Sequence, residues 1–275
     1  MTDVATTMMK LSEAAAALHA ELRGADASFS GVTTDSRNVC PGDLFVALAG
    51  EKFDGHDYLD VAAKNGAVAA LVHKSVANSP LPLIVCKDTL AALGQLAAFW
   101  RGKFTLPMVA LTGSNGKTTV KEMIASILRA HCADDSAVLA TEGNLNNHIG
   151  MPLTLLKLRA HHRYAVIEMG MNHEGEISYL THIARPQVAL VNNAQRAHVG
   201  EVGGIEAVAR AKGEIFSGLD ADGMAIINAD DPSEPLWKSL AHKYRLLTFG
   251  LTQPAGITAK FQLNATGTPM QIHTP

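Results

Sequence analysis

Residues 111–119 read Leu-Thr-Gly-Ser-Asn-Gly-Lys-Thr-Thr. They follow the apolar run Pro107-Met108-Val109-Ala110 and precede apolar residues at helical spacing, Val120, Ile124, Ile127 and Leu128. Strand, glycine-rich turn, Lys-Thr and helix, in that order, constrain the fold more than any other feature of the chain. Glycines let main-chain N–H groups turn inward, a helix N-terminus adds partial positive charge, and the lysine reaches the outer phosphates of a nucleotide. A hydroxyl after that lysine can hold Mg²⁺. The general pattern G-x-x-x-x-G-K-[ST] is shortened here to G-x-x-G-K-T-T, because Leu111 stands at its first glycine. The plain alternative is a Gly/Asn turn that merely joins a strand to a helix.

The rest of the chain is consistent with an α/β protein. From residue 107 onward, apolar runs at 108–112, 165–168, 188–192, 224–228 and 246–249 alternate with helical patterns. Near-continuous apolar strands between helices predict a mainly parallel sheet covered on both faces. Ligands of such sheets bind at the carboxyl ends of the strands, where Glu168, Asn192, Asn193 and Asn228 fall. Before residue 107 the elements are shorter. They are a helix capped by Ser12 and ending near Gly24, a strand running into a polar turn over 31–37, strands at 44–48, 67–73 and 83–86, and helices at 58–64 and 89–100. The expected organisation is a small mixed α/β domain over 1–84, a connecting helix and junction over 85–106, and a P-loop-type central domain over 107–275. Residues 257–275 read as one or two antiparallel strands without a closing helix, so the chain is expected to stop within that domain.

Composition excludes several classes. Among 275 residues, 47% are apolar and the formal charge is −3, with no basic run of the kind nucleic acid or a membrane surface demands. No stretch approaches the roughly 20 apolar residues of a membrane span, and the N-terminus does not read as a secretory signal. Cys40, Cys86 and Cys132 are scattered and lack metal spacing, as expected of reduced thiols in the cytoplasm.

Four further features bear on chemistry. Glu168 ends an apolar strand, where it could hold a nucleotide's Mg²⁺ or simply face water. Lys212 shares a helical stripe with Ile205, Val208, Ala209, Ile215, Phe216 and Leu219. A buried lysine there would have a lowered pKa, and its neutral amine could take up CO₂ as a carbamate; a snorkelling lysine would keep its ammonium in solvent. His198 lies in a loop after a strand, open to a metal, a phosphate or nothing but water. Asn144, Asn146, Asn147 and His148 form either a ligand-facing loop or an Asx-rich turn ahead of a helix.

Taken together, these stretches resemble the Mur ligases, ATP-dependent, ADP-forming peptide-bond enzymes of bacterial cell-wall synthesis. Thr112 to Thr119 resembles their ATP loop, and Glu142 to Leu156 their second signature. Glu168-Met169-Gly170-Met171-Asn172-His173-Glu174-Gly175-Glu176-Ile177 and Ala211-Lys212-Gly213-Glu214-Ile215-Phe216 are similar to the branch that joins D-alanyl-D-alanine to UDP-N-acetylmuramoyl-tripeptide. Asp35-Ser36-Arg37, residues 41–48 and Phe53 to Tyr58 resemble the family's UDP-sugar-binding module.

The resemblance implies roles. Gly113, Ser114, Asn115, Gly116, Lys117, Thr118 and Thr119 would bind ATP, with Thr118 and Glu168 on one Mg²⁺. Lys212, carbamylated, and His198 would hold a second Mg²⁺, making Lys117, Lys212 and His198 the catalytic set. Asn144, Asn146 and Asn147 would line the substrate cleft, and Asp35, Ser36 and Arg37 the UDP end. A cytoplasmic monomer is implied, acting through an acyl phosphate. The alternatives are the branch that adds a diamino acid to the UDP-dipeptide and a piece that only binds precursor and nucleotide.

Two departures stand out. Val199-Gly200-Glu201-Val202-Gly203-Gly204 replaces the family's acidic-Gly-aromatic-Gly stretch after the histidine. The family's nucleotide-base segment and third domain are not found, so this length of chain is expected to be inactive by itself.

Overall fold

Parallel pairing organises most of the chain. The computed structural model describes residues 7–51, 53–74, 76–195, 203–264 and 267–275. These form two compact units, 1–104 with 155–158, and 105–154 with 159–275.

In the first unit, β1 (Met9–Lys10) leads into α1 (Leu11–Ala17), followed by β2 (Glu21–Arg23), β3 (Ser28–Phe29), β4 (Gly31–Thr33) and β5 (Asp43–Val46). A small hairpin, β6 (Ala49–Gly50) and β7 (Phe53–Asp54), precedes α2 (Leu59–Lys64), β8 (Ala69–Val72), β9 (Leu83–Val85) and α3 (Thr89–Arg101). The five-stranded sheet runs β2-β9-β8-β5-β4, with only β2 antiparallel to its neighbour. Phe45, Ala47, Leu59, Ala70 and Val72 form its buried core. Asp88 caps α3, accepting from the N–H groups of Leu90 and Ala91 at 2.8 and 3.0 Å, which satisfies two otherwise orphan donors.

The expected helix from Ser12 to Gly24 is corrected. Helix α1 ends at Ala17, and Glu21–Arg23 is a strand. Ser12 lies inside the first turn instead of capping it, and its Oγ donates to Asp26 at 2.8 Å.

The second unit holds β10 (Met108–Thr112), α4 (Lys117–Cys132), β11 (Val138–Ala140), α5 (Gly150–Leu156, whose last residues group with the first unit), β12 (Tyr164–Glu168), α6 (Glu176–Ala184) and β13 (Val188–Val191). Then come α7 (Ile205–Gly213), β14 (Met224–Asn228), α8 (Glu234–Leu240), β15 (Arg245–Gly250), β16 (Ile257–Phe261) and β17 (Met270–His273). The eight strands run β11-β12-β10-β13-β14-β15-β16-β17, all parallel except the last pair. The α/β organisation with a mainly parallel sheet therefore holds. Two details differ from expectation. β11 is an additional short edge strand, and β16 continues the parallel sheet, so that only β17 turns back.

The chain leaves β10 toward β11 on one side, and β13 then joins on the other. That reversal opens a crevice at the carboxyl ends of β10 and β13, where open α/β sheets bind ligands.

Helix α7 is shorter than its apolar stripe. Regular α-helix stops at Gly213, and residues Glu214–Gly218 continue as a 3₁₀ turn. Ile205, at the N-terminal end of the stripe, is half exposed, whereas Val208, Ala209 and Ala211 are buried. Trp237 of α8 is fully buried against α7, and its indole N–H donates to Ala209 O at 2.8 Å. Trp237→Ala is expected to cost about 3–5 kcal/mol, the usual loss for a buried Trp, read as a lower midpoint in urea unfolding.

Candidate functional site

The turn after β10 is built for close approach of main chain. Gly116, the residue before α4, has φ +75°, a left-handed conformation that glycine adopts without a Cβ penalty. At Gly113 a Cβ would sit 3.0 Å from Cβ of Asn192, so a larger residue would push the loop a few tenths of an ångström from the end of β13. Val120 N–H donates to Gly116 O at 2.9 Å. The N–H groups from Gly116 to Thr119 thus precede the first helical bond and belong to the unsatisfied end of a helix dipole.

Side chains converge on that end. Lys117 Nζ donates to Gly113 O at 2.8 Å and Ser114 O at 3.2 Å, folded over the loop it would share with phosphates. Burial pushes its pKa down, while the nearby Glu168 carboxylate opposes that shift. Thr118 Oγ1 donates to Glu168 Oε2 at 3.0 Å, and Asn146 Nδ2 donates to Oε1 at 2.7 Å. Glu168 is itself buried, and its N–H donates to Thr141 Oγ1 at 2.9 Å. A hydroxyl and a buried carboxylate at the foot of a phosphate loop are hard oxygen donors of the kind Mg²⁺ takes, so this pair fits the ion. No group of three or more His, Cys, Asp or Glu suited to a metal occurs among the described residues.

Lys212 is 2% exposed, which excludes the snorkelling alternative. Desolvation first, and then the like charge of Lys117, lower its pKa from 10.5 to about 8. The like charge of Lys117 felt at Lys212 places the end of α7 in the electrostatic range of the loop. His198 lies outside the described residues.

The asparagine cluster divides. Asn146 faces Glu168, whereas Asn147 Oδ1 accepts from the N–H groups of Ile149 and Gly150 at 3.1 and 2.8 Å, capping α5. Asn144 is exposed. So the Asx-turn reading describes Asn147, and the ligand-facing one remains open only to its neighbours.

Sequence reasoning missed one group in this unit and gave no role to another that it had placed at a strand end. Lys121 is 1% exposed, and its Nζ donates to Thr141 O at 2.6 Å and pairs with Glu122 at 2.8 Å. It ties α4 to the segment that supports Glu168. The stretch 192–195 brackets the loop: Gln195 N–H donates to Ser114 Oγ at 2.9 Å, and Asn115 Nδ2 donates to Gln195 Oε1 at 2.6 Å. Asp231 Oδ2 accepts from Ala194 N–H, and Asn228 Nδ2 donates to Asn192 O, holding that stretch from β14. The signal available beforehand was only that polar residues end apolar strands.

In the first unit, Thr34, Asp35, Ser36, Arg37, Phe53 and Tyr58 line an open cavity of about 550 Å³. Arg37 pairs with Asp35 through two hydrogen bonds, 2.9 and 2.8 Å. With that guanidinium beside it, Asp35 titrates at about 2. The rings of Phe53 and Tyr58 lie 5.4 Å apart and are partly exposed. Beneath them, buried His56 sets Nδ1 against Asp54 Oδ1 at 2.5 Å, and its Nε2 accepts from His73 N–H at 3.2 Å. These bonds assign the neutral tautomer with the proton on Nδ1.

Comparison with known proteins bears on both units. Residues 111–275 match the Mur ligase middle domain, and residues 28–101 match the Mur ligase family catalytic domain. The chain is 45% identical over 267 residues to the UDP-N-acetylmuramoyl-tripeptide–D-alanyl-D-alanine ligase of Escherichia coli, covering 96% of this chain and 58% of that protein. Crystal structure I of MurF from Acinetobacter baumannii superposes with a TM-score of 0.90 at 37% identity, over 97% of this chain and 58% of that one. MurF ligase from Thermotoga maritima, solved in complex with ADP, gives 0.78 at 31% identity over 89% of this chain and 56% of the other. The chain thus spans a little over half the length of these relatives.

A buried, desolvated ammonium makes a testable contribution to stability. Lys212 binds a proton less readily folded, with a pKa of about 8, than unfolded, at 10.5. Between those values the unfolded state holds more protons, so stability rises with pH. In CO₂-free buffer Lys212→Met is expected to unfold at higher urea than the parent chain below about pH 8. Its advantage should shrink as pH climbs toward 10.5. A difference that stays constant across that window would mean a solvated ammonium.

Proposed function

The chain belongs to the Mur ligase family, and we propose that it forms the precursor- and ATP-binding part of a ligase that adds D-alanyl-D-alanine to UDP-N-acetylmuramoyl-tripeptide with release of ADP and phosphate. The observation that carries this reading is the loop after β10: the amides of 116–119 ahead of the first helical bond of α4, Lys117 among them, and Thr118 bonded to buried Glu168. Two relatives named above support it, the E. coli ligase by its substrates and the T. maritima ligase by its ADP.

In this scheme residues 1–84 bind the UDP precursor, 85–106 form the junction, and 107–275 bind ATP. Arg37 would meet the diphosphate, with Asp35 and Ser36 shaping the turn and Phe53 and Tyr58 offering ring faces to the base. Gly113 to Thr119 would cradle the ATP phosphates. Asn144 and Asn146 would line the cleft, and Asn147 would contribute by capping α5.

The chemistry asks two anions to meet, a peptide carboxylate and the γ-phosphate. Neutralising charge therefore dominates the barrier. Lys117, released from its loop carbonyls, would bridge to the outer phosphates and draw negative charge from the transferring group. The carboxylate oxygen bonds to phosphorus as the bond to ADP breaks, giving an acyl phosphate. The amine of D-alanyl-D-alanine then adds to the acyl carbon and phosphate leaves.

Thr118 and Glu168 would hold Mg²⁺, which supplies further neutralisation of phosphate charge. Asn146 keeps the Glu168 carboxylate turned toward that position. Lys212 would lose its ammonium proton, add CO₂ through the free amine and release a second proton to become a carbamate, exchanging a cation for an anionic oxygen ligand that, with His198, would suit a second Mg²⁺. The protein would act in the cytoplasm as a monomer; no described helix is long and apolar enough to cross a membrane.

Two measurements test this reading. In a full-length protein containing this chain, ADP release should require both UDP-N-acetylmuramoyl-tripeptide and D-alanyl-D-alanine. Lys117→Ala should lower kcat by about 10²–10³, the usual loss of one electrostatic stabiliser. Release with UDP-dipeptide and a diamino acid instead would reassign the substrate. Separately, ¹³C-bicarbonate should give a carbamate resonance that grows as pH rises through about 8 and vanishes in Lys212→Met; its absence from the parent chain would reject the carbamate.

A further inference from the structure

We propose that Asn193, assisted by Asn192, is a positioning residue that sets which way the peptide groups of the phosphate loop face, and so determines its affinity for polyphosphate. This rests on the reading of residues 113–119 as a nucleotide site.

Asn193 uses its whole side-chain amide on the loop. Its Oδ1 accepts from the N–H groups of Ser114 and Asn115 at 3.1 and 3.0 Å, and its Nδ2 donates to Asn115 O at 3.1 Å. Asn193 O also accepts from Ser114 N–H at 3.0 Å. Asn192 Nδ2 gives Asn115 O a second donor at 2.9 Å.

The consequence follows from peptide geometry. In a trans peptide the carbonyl and the next N–H point in opposite directions. With Asn115 O held toward the end of β13 by two donors, the Gly116 N–H is turned the other way, to the side where Lys117 to Thr119 present theirs. Were that peptide to flip, which glycine at 116 permits, a carbonyl dipole would enter the anion cradle in place of a donor. The shortened loop lacks the first glycine of the longer pattern, and its shape is imposed from the neighbouring strand instead.

The test separates loop orientation from simple packing. Asn193→Ala removes the side-chain clamp. Asn193→Asp keeps the size and the acceptor for both N–H groups, but sets a carboxylate oxygen against Asn115 O and adds negative charge beside the cradle. Binding of ADP with Mg²⁺ to this chain is measured by ³¹P NMR titration, with unfolding midpoints recorded in parallel. The Ala variant should bind about tenfold more weakly, the equivalent of one hydrogen bond. The Asp variant should lose about tenfold more through like-charge repulsion, despite being the more stable of the two.

A purely structural role predicts the reverse order, because Asp preserves more bonds; that order, or unchanged affinity in both variants, would overturn the proposal. If neither variant folds, Asn192→Asp places a carboxylate opposite the same carbonyl and spares every bond of Asn193. Weakened ADP binding is then expected, and parental affinity would overturn the assignment. Failure of the parent chain itself to bind ADP would remove the nucleotide reading on which this inference stands.

Discussion

Parallel pairing of β12, β10, β13 and β14 is the constraint on which the site depends. Its register sets Leu111 beside Glu168 and Thr112 beside Val191. The ends of four strands, far apart in sequence, therefore lie in one row. Each strand is buried, so its last polar residue is the first able to face a ligand. Glu168, Asn192 and Asn228 come together because an apolar strand can carry polar groups only where it leaves the sheet.

The row is an interlocked set of supports more than a collection of ligands. Lys121 holds Thr141, Thr141 receives the N–H of Glu168, and Asn146 turns the Glu168 carboxylate toward Thr118. On the other side Asp231 and Asn228 hold 192–195, which holds Ser114 and Asn115. Fixed dipoles stabilise developing charge without reorganising, so under the proposed function these supports would bear on reaction rate as well as on stability. The same dryness that strengthens them makes the Lys212 ammonium costly, and lowers its pKa toward the range where an amine reacts.

The first unit follows a different logic. Its cavity is open, and the ion pair there, Arg37 with Asp35, is exposed on the arginine side. Such a pair adds little to stability. It orients a guanidinium that otherwise faces solvent. Buried His56 fixes the turn below the aromatic pair through Asp54 and the backbone of His73.

The sequence by itself determined the strand–loop–helix of the phosphate site, the alternation that makes a parallel sheet, and the family. Each is a local pattern: glycine spacing, apolar runs, polar strand ends. It misplaced the helix near Ser12, because a capping residue works only where the chain is extended, and pairing of β1 with β3 set the cap at Lys10, two residues earlier. It left Lys212 undecided, since a helical stripe gives direction but not depth; the packing that makes the lysine 2% exposed decided the matter. Only the tertiary structure showed that Asn147 caps a helix, that Asn193 grips the phosphate loop across some 78 residues of sequence, and that Lys121 is buried. Hydrogen bonds between segments distant in the chain depend on sheet order and register, and no periodicity along the chain encodes them.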